Sequence, residues 1–410
     1  MKDYQEHILP NGIRILHKQV KHTKVVHCGF MLDIGSRDEL ADQQGLAHFW
    51  EHMAFKGTRK RKAFHILDRL DSVGGELNAY TTKEKICFYA STLDRYFANA
   101  FELLTDITFD SIFPERQIEN ERGVILEEMA MYKDNPEDAI QDDFDNLVFR
   151  GHPMGKNILG TVESVKSFHK KDFQRFISQN LNTERVVFSV VGNISLQQVL
   201  KAVNKHLKDI PHYDASRQRK TLESYRPIKE SSHRDWLQAQ CAMGRTSYPI
   251  SDSKRLPFFM LVNLLGGPGL NTRLNLALRE KYGFVYSIEA YYAPYTDTGL
   301  FAIYFGTEPS QLNKSTDLVI KELKKLREKP LGIVQLNKLK AQVCGQLAIS
   351  EENYVSLMLM MGKSMLDLNR IDNLENVYKK IQRVTHHELQ ELANDMFNFH
   401  EMSYLQYSPN

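Results

Sequence analysis

The stretch Leu70-Asp71-Ser72-Val73-Gly74-Gly75-Glu76-Leu77, leading on to Phe88-Tyr89-Ala90, reads as a helix stopped by glycine and then a turn into strands. Glycine at a helix end takes the left-handed conformation that other residues resist, and the apolar, aromatic run beyond it suits a strand. Roughly two hundred residues later the same grammar returns as Leu278-Arg279-Glu280-Lys281-Tyr282-Gly283-Phe284, leading to Phe301-Ala302-Ile303. Self-similarity at that distance predicts two copies of one α+β unit rather than a solenoid of short repeats.

Working outward, Asn11-Gly12 is a hairpin signal before Ile13-Arg14-Ile15-Leu16, and a second apolar run follows at Val25 to Leu32. Helical periodicity covers Gly45 to Lys56, Ala63 to Ser72, Asp94 to Thr108, Pro114 to Lys133 and Glu137 to Phe149. Val186 to Val191 reads as a buried strand. From about Pro211 to Ser232 the chain is polar and basic, as an exposed connection would be. The expected organisation is α+β, with two similar domains, each an antiparallel β-sheet flanked by helices. The expected boundaries are 1–212, a linker at 213–232, and 233–410.

At 410 residues, two domains are the natural expectation. The 53 basic and 51 acidic side chains leave a net charge of +2, which gives no global field for nucleic acid or an anionic membrane. Cys28, Cys87, Cys241 and Cys344 are widely spread and form no CxxC pair, so they are read as reduced thiols. The start carries no apolar stretch of a secretory signal, and no apolar run reaches the ~18 residues of a membrane span. A cytoplasmic protein is the plain expectation, and a mature organellar protein has the same signature.

The chemistry concentrates in His48-Phe49-Trp50-Glu51-His52. At about 100° per helical residue, His48, Glu51 and His52 share one face, where two imidazoles on adjoining turns can clamp a metal beside a carboxylate. Neutral imidazoles suit zinc, and a catalytic zinc takes three protein ligands. Glu119, Glu121, Glu127 and Glu128 cluster on a later helix; Glu121 and Glu128 lie two turns apart and face one way, while Glu127 points aside.

HxxEH inverts the HExxH spacing of other metallopeptidases. Glu128 follows His52 by 76 residues, Glu121 stands seven before it, Asn78-Ala79-Tyr80-Thr81 precedes Glu84 and Tyr89, and Arg279 precedes Tyr286. With these features the chain resembles, over nearly its whole length, the pitrilysin/insulinase-type zinc peptidases, the inverzincins, and among them the short bacterial members and the β subunit of mitochondrial processing peptidase. The resemblance implies a LuxS/processing-peptidase-like metallohydrolase fold with one zinc ion per chain on His48, His52 and Glu128. It implies Glu51 as general base, Glu121 as a group orienting the site, and Arg279 and Tyr286 as second-domain residues for the substrate carbonyl and developing oxyanion. Asn78, Ala79 and Tyr80 would hold a peptide or unfolded polypeptide as an added strand within a closed chamber. Family members of this length resemble half of a clamshell, which implies a homodimer or a heterodimer with a related subunit.

The glycine loop Gly266-Gly267-Pro268-Gly269-Leu270 departs from the family by its proline, which fixes φ, and mitochondrial presequence processing is not expected. The rival expectation is a noncatalytic scaffold or partner subunit; a zinc hydrolase acting on other bonds is a third. The basic run Lys56, Arg59, Lys60, Arg61, Lys62 is read as a solvated loop, and Met358, Met360, Met361 and Met365 as helix core.

Overall fold

Both helix-to-strand stretches end on a left-handed glycine, Gly74 at φ +72° and Gly283 at φ +63°, in the computed structural model, which describes residues 4–409. A Cβ at either position would meet nothing within 4 Å, so the backbone conformation, and not crowding, is what asks for glycine there. Each glycine releases the chain into the edge strand of a sheet, and the molecule divides into two compact units built around those sheets.

The first unit comprises residues up to Met129, Lys156–Arg219 and Ile349–Asn373. Its strands are β1 (Gln5–Ile8), β2 (Arg14–Gln19), β3 (Val25–Leu32), β4 (Glu76–Thr81), β5 (Ile86–Leu93) and β6 (Val186–Gly192), in the order β1-β2-β6-β3-β5-β4. All neighbours are antiparallel except β2 and β6, which run parallel. Phe30, Phe88 and Phe188 point into a core shared with Phe49, Trp50, Phe101 and Leu104. The opposite face carries Leu16, Val187 and Val191, covered by Leu357, Met358, Met361 and Met365 of the helix Tyr354–Leu368. Both faces are therefore dry, which is why β6 is buried along its whole length. Met360 is the exposed member of the methionine group.

The second unit takes in Ala130–Gly155, Lys220–Ala348 and the chain from Leu374 onward. Its strands are β7 (Lys229–Arg234), β8 (Ala239–Ser247), β9 (Val285–Pro294), β10 (Gly299–Thr307) and β11 (Ser403–Pro409), in the order β7-β11-β8-β10-β9. Here β7 and β11 are the parallel pair. Strand for strand this repeats β2-β6-β3-β5-β4, so the internal duplication is one of topology. One face packs Cys241, Met243, Phe301 and Ile303 against helices. The other packs Ala242, Ala302 and Tyr304 against Ile140, Phe144 and Leu147 of the helix Pro136–Val148.

The α+β architecture of two similar sheets flanked by helices is thus as expected, except that each sheet contains one parallel pair. The polar stretch 213–232 is also anchored at its start. Arg217 pairs with Asp33 at 2.6 Å and Asp38 at 2.9 Å, and Arg219 pairs with Asp38 at 2.9 Å, beside the Arg37–Glu84 pair at 2.6 Å. Among the described residues no helix is long and apolar enough to cross a membrane.

Candidate metal centre

The helix Leu46–Ala54 carries the HxxEH motif, and its sequence decides which way it faces. Phe49, Trp50 and Met53 are wholly buried, with Phe49 packed edge-on against Phe173 and Trp50 against Phe176. That leaves His48, Glu51 and His52 on the opposite side. Gly45 opens the helix without a side-chain cap. Its place is taken by Glu39, whose carboxylate accepts from the backbone N–H groups of Gly45 at 3.0 Å and Ala47 at 2.8 Å. Complete burial pushes the Glu39 carboxyl up to about 8, against the pull of those two bonds.

The second wall is the helix Glu115–Asp134. Ile118 and Ile125 are buried, and Arg122 donates to the carbonyls of Val165 at 2.6 Å and Phe168 at 3.1 Å. This anchoring turns Glu121 and Glu128 toward the histidines, while Glu119 and Glu127 are exposed. His48 Nε2 lies 3.7 Å from Glu128 Oε1, and His52 Nε2 lies 3.5 Å from Glu128 Oε2. The His48 and His52 rings are 4.5 Å apart. Donor atoms of His48, His52 and Glu128 fall within 4.8 Å of one another. Tetrahedral zinc with bonds of about 2.0–2.1 Å requires its donors roughly 3.4 Å apart. Two imidazole nitrogens and a carboxylate oxygen at this spacing fit a zinc ion with little adjustment.

Each remaining partner bears on that trio. His52 Nδ1–H donates to Glu121 Oε1 at 3.0 Å, the carboxylate–imidazole arrangement that fixes a ligating histidine's tautomer. Lys56 Nζ meets the other oxygen of Glu121 at 2.7 Å. Glu51 accepts from Thr81 Oγ1 at 2.5 Å. Burial raises the Glu51 pKa, opposed by the Thr81 hydrogen bond. Burial, reinforced by neighbouring His52, lowers that of His48. For metal-free His52, burial is outweighed by the hydrogen bonds to Glu121 and Glu128, which lift it to about 9.

The remaining residues singled out from the sequence lie as follows. Asn78, Ala79 and Tyr80 occupy β4, which pairs with β5 on one side and has no strand partner on the other among the described residues. Arg279 and Tyr286 belong to the second unit, Arg279 on a π-helical turn, Asn275–Glu280, and Tyr286 near the start of edge strand β9. The guanidinium of Arg279 lies 5.8 Å from the centre of the Tyr286 ring, which is 84% exposed.

Three residues near the trio were not anticipated as part of it. Glu39 acts on two backbone N–H groups six and eight residues on, and Thr81 through one hydroxyl on a carboxylate 30 residues away, and no spacing pattern announces either. Lys56 was read with its basic neighbours as solvated, yet it is the partner of Glu121. Arg61 of the same run is also tied down, at 2.5 Å from both Glu102 and Asp106.

The insulinase (peptidase family M16) profile matches residues 14–162, and the "peptidase M16 inactive domain" profile matches residues 167–343. The chain is 32% identical over 389 residues to "Uncharacterized zinc protease YmxG" of Bacillus subtilis, covering 94% of each. It is 31% identical to "Uncharacterized zinc protease SCO5738" of Streptomyces coelicolor, covering 95% of this chain and 86% of that one. A protease structure from Helicobacter pylori superposes with a TM-score of 0.91 at 20% identity, over 99% of both chains, so the likeness there is of fold. With both profiles matched in order and a full-length relative above 30% identity, the chain belongs to the insulinase family of zinc proteases, peptidase family M16.

Proposed function

We propose that this chain hydrolyses peptides or unfolded polypeptides at a single zinc ion held by His48, His52 and Glu128. The observation that carries the reading is the meeting of those three donors beside a carboxylate, Glu51, that accepts from a hydroxyl and is in no ion pair among the described residues. Zinc, when bound, supplies Lewis-acid activation of water and of the scissile carbonyl.

Glu51 takes the proton of the attacking water and returns it to the departing amine, acting as base and then as acid. Its partly desolvated position raises its affinity for that proton, and Thr81 keeps the carboxylate turned to a fixed rotamer. Glu121 holds the His52 ring through Nδ1, leaving Nε2 for the metal. Arg279 and Tyr286 contribute a guanidinium and a phenol suited to the substrate carbonyl and its developing charge. The carriage of Arg279 on a π-helical turn supports a functional role, since such turns gather at functional sites.

The substrate lies along β4 as an added strand, held by the backbone of Asn78, Ala79 and Tyr80, which makes recognition tolerant of sequence. Two chains, alike or related, enclose the chamber. Elemental analysis for zinc, together with cleavage of a quenched peptide library, tests the reading. One zinc per chain with peptide cleavage is the expected result; zinc-loaded protein that cleaves no peptide refutes the autonomous enzyme and favours a noncatalytic subunit.

A further inference from the structure

We infer that Lys56 is a positioning residue for the metal centre, acting through Glu121: its ammonium holds the Glu121 carboxylate as the hydrogen-bond acceptor that orients His52. The inference rests on the metal-binding reading above. It starts from how the two oxygens of Glu121 are divided. Oε1 accepts from His52 Nδ1 at 3.0 Å, and Oε2 is met by Lys56 Nζ at 2.7 Å. The Glu121 side chain is only 8% exposed, so water cannot readily replace either partner. A nearly buried carboxylate that loses one of two charge-assisted contacts has reason to rotate, and rotation would loosen its hold on the imidazole.

The chain around Lys56 is built to hold the ammonium there. Lys56 follows the metal-bearing helix directly, and its N–H donates to the Met53 carbonyl at 3.0 Å. Just beyond it, Thr58 donates to Asp106 at 2.8 Å, and Arg61 reaches the same carboxylate at 2.5 Å and Glu102 at 2.5 Å. Asp106 is fully buried, so this turn is fastened to the core on the far side of Lys56. The backbone is fixed before and after the lysine, and among the described residues its side chain has one acidic partner, Glu121.

Lys56 places a positive charge close to a cation site, and this gives the inference a sign that a simpler effect does not share. If the ammonium acted only through space, removing it would tighten zinc binding. If it acts by positioning Glu121, removing it weakens zinc binding. The two expectations point in opposite directions.

The experiment measures zinc affinity of the full chain by competition with a chromophoric chelator, for wild type, Lys56→Met, Lys56→Arg, Glu121→Gln and the double variant Lys56→Met/Glu121→Gln. Thermal melts of the metal-free proteins accompany each titration. Loss of a partner behind a metal ligand typically costs about 10–100-fold in affinity, and Lys56→Met is expected in that range. Lys56→Arg, which keeps the charge, recovers most of it. The double variant binds zinc no more weakly than Glu121→Gln alone, because the lysine has nothing left to position.

Unchanged or tighter zinc binding in Lys56→Met overturns the inference. So does a double variant whose losses multiply. If Lys56→Met does not fold, Lys56→Gln, which is polar but one atom shorter and without the charge, carries the same comparison, with weaker binding that vanishes in the Glu121→Gln background as the supporting result and unchanged binding as the overturning one. Wild type that binds no zinc defeats the metal-binding reading itself, and is told apart from failure of the lysine's role by that first titration.

Discussion

Replacing Glu51 with Gln isolates proton transfer from metal binding more cleanly than any other change at this centre. Glu51 is outside the donor group of His48, His52 and Glu128, so the amide removes a base without removing a ligand. Gln has nearly the same shape and still offers Thr81 an acceptor at the position now held at 2.5 Å. Folding should not suffer. A carboxyl whose folded pKa lies above its unfolded value stabilises the fold least once the pH has risen through the folded pKa, and Glu51 is raised by burial. The metal-free variant is therefore at least as stable as the parent, with any gain appearing on the alkaline side.

Against that neutral background the catalytic loss stands alone. A positioned general base contributes about 10²–10⁴ in rate, or roughly 3–5 kcal/mol of transition-state stabilisation. The assay is turnover of a quenched peptide at saturating concentration, with zinc content measured on the same sample. The expected result is a full zinc complement, a KM close to the parent's and kcat reduced by about 10²–10⁴. A variant that keeps kcat within about tenfold would remove Glu51 from proton transfer, and one that loses zinc would show that the carboxylate helps to hold the ion.

Three further outcomes follow from the same geometry. Metal-free His52 holds its proton up to about 9 and must surrender it to bind zinc, so affinity should climb by up to tenfold per pH unit from pH 6 toward 9; a flat profile in metal-buffered titrations counts against this. Arg61→Met leaves the buried Asp106 with Thr58 alone and should cost the first unit about 3 kcal/mol, read from urea unfolding followed by Trp50 fluorescence in a Trp236→Phe background; a loss below about 1 kcal/mol would make the pair dispensable. If substrate lies as a strand beside β4, N-methylation of successive amides in a good peptide should lower kcat/KM at every second position, by about fivefold each; uniform tolerance would exclude strand addition.

The parts legible in the sequence were those fixed by short-range periodicity. The facing of His48, Glu51 and His52 follows from helix geometry because Phe49, Trp50 and Met53 leave them one side of the helix. Glu121 and Glu128, two turns apart, share a face for the same reason. The duplicated helix-glycine-strand order was visible because Gly74 and Gly283 mark the same backbone conformation. The parallel pairs β2–β6 and β7–β11 were not visible: the partners are separated by most of a unit, and alternation of apolar residues says nothing about direction. Thr81 escaped because it works through one hydroxyl on a carboxylate 30 residues away, and Glu39 because its partners are backbone N–H groups, which leave no mark in the sequence. Lys56 was hidden by company, since four neighbouring cations make any one of them look solvated.

The helix Tyr354–Leu368 covers the outer face of the first sheet, although it is encoded far downstream of β6. During synthesis, roughly 180 residues separate the last strand of that sheet from the end of its cover, an interval on the order of ten to thirty seconds at common translation speeds. Throughout it, Leu16, Val187 and Val191 have no methionines to pack against. The nascent chain thus carries an uncovered apolar sheet face past the ribosome through the whole of that interval, and a messenger truncated before Met358 would yield a product marked by that face for chaperones and quality-control proteases.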